Sequence, residues 1–173
     1  MPSKNPEIQP TRPSTLILGW GNLSRGDDAL GPLFVAGLQA QLPTDLRDQV
    51  EFLEDYQLQV EHALDLAGRQ QVLLVDASLT CAAPFEARRV HARRDTSYTS
   101  HALSPEALLE VCVDFESSAL PPVTLLAIRG EAFELGEPMS DAAQSHMAAA
   151  LAWGLAWVCG AAAHGRAASG HVV

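Results

Sequence analysis

The sequence predicts an α/β fold, a three-layer α/β/α sandwich on a mostly parallel, about five-stranded sheet with one antiparallel edge strand. Three observations carry this expectation. Short apolar runs alternate with segments of helical period. The first runs end on Gly or Asp. One pair of consecutive strands has no helix between them.

The elements follow in order. Residues 1–14 hold several prolines among polar residues and read as a loose leader. Thr15-Leu16-Ile17-Leu18 is a short apolar run stopped by Gly-Trp-Gly-Asn, the pattern of a buried strand. From Asp27, apolar residues at 30, 33, 34, 38 and 42 keep a helix period until Pro43 ends it. Residues 50–54 alternate as a second strand. Leu58 to Ala67 suit a helix of about three turns closed by Gly68. Residues 71–75 form the most apolar strand, followed by Asp76. The arginine-rich segment 86–91 suits an edge strand, because charge discourages further pairing. Ser104-Pro105-Glu106 is a helix start, with Ser as cap and Pro at the first position. Residues 122–128 make another strand. Ser140-Asp141 caps a last helix running to about Val158. The expected organisation is a single domain over 15–160 with a frayed tail at 161–173.

Composition narrows the function. The 173 residues carry a formal net charge of -10, with 47% hydrophobic and 18% charged residues. One globular domain is expected. An acidic chain is a poor binder of phosphate backbones, so nucleic acid is excluded as a partner. Three scattered cysteines with no CxxC support neither a disulfide framework nor a zinc finger. No apolar run is long enough to span a membrane. The expectation is a soluble, cytoplasmic protein, monomeric and away from membranes.

Ligands of open α/β sheets bind outside the carboxyl ends of the strands. That rule selects the loop Gly19–Asp28, the segment around Asp55, and Asp76; the loop holding His101 is a fourth candidate. G-x-G after a strand can cradle phosphate, but Ser24 stands where a third glycine belongs. Asp27 and Asp28 then occupy the helix N-terminus, where they would repel pyrophosphate. Asp27 is expected to cap the helix. Asp28 is surplus to capping and therefore a functional candidate. Asp76 reaches the same edge. Two converging carboxylates repel unless a proton or cation lies between them. An imidazole from His101 would complete a set suited to zinc or nickel. His62 and His91 compete for that role but are expected on a helix flank and the edge strand. His146, His164 and His171 are expected to be solvated. Cys81 reads as structural. Trp153 and Trp157, four apart, read as packing.

These blocks resemble one family. LILGWGNLSRGDDALGP is similar to the opening of the hydrogenase maturation endopeptidases, through Gly19, Gly21, Asn22, Asp27, Asp28 and Gly31. LLVDAS around Asp76 and TSYTSHALSPEALL around His101 agree with it. So do EDYQLQVEHALDL and RGEAFELGEPMS, and the resemblance runs from about Leu16 to Val158. It implies removal of a short C-terminal extension from the nickel-loaded large-subunit precursor of a nickel-iron hydrogenase. It also implies that Asp28, Asp76 and His101 recognise nickel carried by that precursor, with no permanent cofactor. Asp28 is a departure, since Glu is common there; Ala29 replaces a common glycine. The EDYQLQVEHALDL segment looks most like the branch serving cytoplasmic, NAD-linked or bidirectional hydrogenases. Asp55 or Glu54 could supply an acid/base group, Asp55 being the candidate catalytic residue. Two alternatives stand beside this reading. One is a nucleotide or small-ligand module with magnesium at the Asp pair. The other is a nickel-sensing chaperone that does not cut.

Overall fold

The computed structural model describes residues 12–93, 103–115 and 119–169, the last nine of these as helical backbone alone. Five strands form one sheet: β1 (Thr15–Trp20), β2 (Val50–Asp55), β3 (Gln71–Ser78), β4 (Phe85–Val90) and β5 (Val123–Arg129). Four α-helices accompany them: α1 (Leu30–Gln41), α2 (His62–Leu66), α3 (Pro105–Phe115) and α4 (Asp141–Ser169). The expected order of elements is the observed one. Sheet order is β2-β1-β3-β5-β4, parallel except for β4, which runs antiparallel to β5 at the edge.

The strand β1 explains the layering. All six of its residues are buried, because helices cover both sheet faces. Ile17, Leu73, Val75, Leu126 and Ile128 point to one face and meet Leu30, Phe34 and Leu38 of α1 and Ala143 and Ala150 of α4. Leu16, Leu18, Val72 and Leu74 point to the other and meet Leu66 of α2 and Leu108 and Cys112 of α3. Alternation along each strand thus feeds two cores. On β4, residues 86–89 are exposed, as a charged edge strand should be.

Two helix ends follow the expected chemistry. Ser104 Oγ accepts from the Ala107 N–H at 3.1 Å, and Ser140 Oγ accepts from the Ala143 N–H at 3.1 Å. Two helix lengths differ from expectation. The α2 segment forms only about one and a half turns, because residues 56–61 are taken up by a hydrogen-bonded loop. The α4 backbone continues past Val158 to Ser169, through Gly160 and Gly165. Alanine-rich sequence sustains helix across single glycines. No helix among the described residues is long and apolar enough to cross a membrane.

Candidate functional site

The glycine loop is shaped by packing. A Cβ on Gly31 would overlap the backbone of Trp20, and one on Gly21 would overlap the backbone carbonyl of Asp28. Gly21 also has φ +145°, a conformation that side chains resist. These glycines let the start of α1 press directly against the end of β1. Close chain approach accounts for G-x-G here, leaving no need of a phosphate.

That approach carries two adjacent carboxylates to different destinations. Residues 26–29 form a short 3₁₀ turn before α1. Asp27 is fully buried and does not cap a helix, contrary to expectation: no side-chain cap bond exists at this turn. Its Oδ2 accepts from the Glu131 N–H at 2.7 Å, the Ala132 N–H at 2.9 Å and the Ser140 hydroxyl at 2.9 Å. Its Oδ1 accepts from the Ser140 N–H at 2.7 Å. Burial pushes this carboxyl up, but the bonds from Glu131, Ala132 and Ser140 outweigh it and hold the pKa below the usual value. Main-chain bonds extend the same clasp: Asp27 N–H donates to Ala132 O at 2.7 Å and Gly136 N–H to Ser24 O at 2.8 Å. Asp27 therefore staples the 131–140 segment to the glycine loop.

Asp28 faces the other way. Its Oδ2 accepts from the Asn22 N–H at 3.1 Å, and it is half-buried. It is close enough to Asp76 to repel that carboxylate. Asp76 lies near the end of β3, where the Ala77 N–H and the Trp20 indole favour its charged form. Burial, then the Asp28 charge, push its pKa up from 3.8 to about 7 against those two groups. The predicted pair thus exists at the sheet edge. Its chemistry suits a divalent cation, which would replace the mutual repulsion with two attractions. No group of three His, Cys, Asp or Glu side chains that could hold a metal occurs among the described residues. His101 lies outside those residues.

Asp55 ends β2 in register with Trp20. Asp76 stands one step beyond the Gly19–Val75 pair. Asp55, Trp20 and Asp76 therefore form one row across three strands, with about 10 Å between the outer two. Parallel register directs all three to the same face. Asp55 also lines a cavity of about 260 Å³ with Gly21, Asn22, Leu23, Pro32 and Tyr56.

Two histidines differ from expectation. His62 is buried, not on a solvated flank. Its Nδ1 accepts from the Gln59 N–H at 2.9 Å and its Nε2 lies 3.3 Å from Asp55 Oδ2. His146 is not simply solvated: its Nδ1 lies 2.8 Å from the Arg129 carbonyl. The His146 contact joins α4 to β5, whose proximity no local pattern reveals. His91 lies just past β4 and is exposed. Cys81 is buried, its thiol donating to Ala127 O at 3.4 Å, which fits a structural role. Trp153 stacks near Trp157, with centroids 6.4 Å apart, and packs on Phe85.

No protein-family model matches the chain, and no curated protein matches it in sequence. Solved structures do match in fold. A nickel-iron hydrogenase maturation protease, HycI, from Thermococcus kodakarensis KOD1 superposes with a TM-score of 0.66 at 18% identity, covering 84% of this chain and 92% of that one. The hydrogenase maturating endopeptidase HybD from E. coli gives 0.62 at 24% identity, covering 85% and 93%. A hydrogenase 2 maturation peptidase from a Thaumarchaeota archaeon gives 0.59 at 22% identity, covering 83% and 97%. The architecture that positions Asp28, Asp55 and Asp76 at one sheet edge is the architecture of the hydrogenase maturation proteases.

Proposed function

We propose that the chain is an endopeptidase that removes the C-terminal extension of the nickel-loaded large-subunit precursor of a nickel-iron hydrogenase. The observation that carries this reading is the Asp28–Asp76 pair. Two carboxylates repel each other at the strand ends of a fold shared with such proteases. The precursor's nickel would dock on Asp28 and Asp76, with His101 as third ligand. Docking would hold the scissile peptide beside the row that ends in Asp55, a proximity effect. Asp55 would take a proton from the attacking water and return it to the leaving amine. A carbon–oxygen bond forms, the carbon–nitrogen bond breaks, and the products are a carboxylate and an amine. The net charge of -10 would speed encounter with a basic patch on the precursor. We infer action as a monomer in the cytoplasm; three scattered cysteines with no CxxC suit that reducing compartment. Nickel belongs to the substrate in this scheme, and no resident cofactor is needed.

The test incubates the chain with nickel-loaded and nickel-free precursor and follows the extension by mass spectrometry. Cleavage of the loaded form alone is expected. Asp28→Ala, Asp76→Ala and His101→Ala should each abolish it while the chain stays folded. An intact loaded precursor after incubation with the wild type would overturn the reading.

A further inference from the structure

We infer that His62 is a positioning residue that fixes the Asp55 carboxylate for proton transfer; this rests on the endopeptidase reading. A buried imidazole needs partners for its ring nitrogens, and here Nδ1 faces the loop that follows β2 while Nε2 faces Asp55, the last residue of that strand. The Gln59 N–H donates to Nδ1 at 2.9 Å, so Nδ1 is an acceptor and the ring proton sits on Nε2. That nitrogen lies 3.3 Å from Asp55 Oδ2, within ion-pair distance of the carboxylate. Gln59 Nε2 donates to the same oxygen at 3.3 Å. The Tyr56 N–H occupies Oδ1 from the other side. Asp55 is thereby held from both sides at the wall of the 260 Å³ cavity. Each carboxylate oxygen has two lone pairs, so Oδ1 retains one for a water in that cavity.

Holding the imidazole requires the buried seat of α2: the His62 N–H donates to Gln59 O at 3.1 Å, closing the loop on itself. The unusual shortness of α2 follows from this. A residue that only stabilised the loop would leave the chemical step untouched once the chain had folded. A residue that aims Asp55 would set kcat.

The experiment compares the wild type, His62→Leu and His62→Gln on nickel-loaded large-subunit precursor. His62→Leu should lower kcat by about 10- to 100-fold, as loss of a supporting hydrogen bond commonly does. KM should change less than about twofold, because His62 does not touch the peptide. Glutamine can accept from Gln59 and donate to Asp55, so His62→Gln should recover most of the loss. Should His62→Leu not fold, the nitrogen spectrum of the wild-type ring at pH 8 decides: an Nε2–H tautomer is expected, and Nδ1–H overturns the proposal. Unchanged kcat in His62→Leu, or no rescue by glutamine, overturns it while the endopeptidase reading stands. A wild type that leaves the precursor uncut removes both.

Discussion

Replacing Asp76 by Asn should make the protein more stable, and only above mildly acidic pH. Burial and the Asp28 charge raise this carboxyl from 3.8 to about 7. The folded state therefore holds a proton that the unfolded chain has already released. The Asp76 contribution to stability is greatest below pH 4, falls between pH 4 and 7, and is level above that. The full rise corresponds to roughly 4 kcal/mol, of which about 2.5 kcal/mol falls between pH 5 and pH 8. Asparagine cannot ionise and keeps an oxygen for the Trp20 indole. The check is urea unfolding of both proteins at pH 5 and pH 8 in the presence of a chelator. The stability gap, variant minus wild type, should widen by about 2 kcal/mol at pH 8, a little less than the full figure because Asp76 is partly exposed. In a separate run without chelator, added nickel should stabilise the wild type more than the variant. An equal gap at both pH values would refute the reasoning, since the cost would then lie in packing and not in a buried charge.

Three further outcomes concern the scaffold. Asp27→Ala should cost about 3–5 kcal/mol in urea unfolding, far more than a lost helix cap, because it strands the Glu131, Ala132 and Ser140 donors around an emptied anion site. The wild type should show the matching acid lability: the Asp27 contribution is present above about pH 4 and lost as pH falls through its lowered value. Gly31→Ala should cost about 1–3 kcal/mol by thermal unfolding and weaken nickel binding with it, since the added methyl must push α1 away from Trp20 and carry Asp28 along.

Much of this was legible in the sequence, and the reasons are physical. Alternation and helical period are local, so β1, α1 and β3 follow directly from their apolar spacing. Parallel strands place their carboxyl ends together, so Asp28 and Asp76 converge by topology. Charge on residues 86–89 marks an edge, although only the structure shows that β4 pairs with β5. What stayed hidden depends on distant segments. Asp27 finds its partners more than a hundred residues away, and a local reading sees only a helix start. His62 is adjacent to its partners in the chain, but its burial depends on α2 being shorter than its apolar pattern suggests. Asp55 was selected by its strand end alone; its support by Gln59 and His62 has no periodic signature.

The side-by-side placement of Asp27 and Asp28 bears on how selectively an ion can be bound. Asp27's four hydrogen bonds immobilise the main chain from which Asp28 projects. That freedom is already lost on folding, so little more is lost when a cation arrives. A rigid carboxylate discriminates among ions by geometry, because it cannot shift to suit a larger or smaller one. Asp28 is also a methylene shorter than a glutamate, which leaves it fewer rotamers. Under the proposed function, a short side chain on a pinned backbone would ask the ion to come to the protein at one distance and one angle.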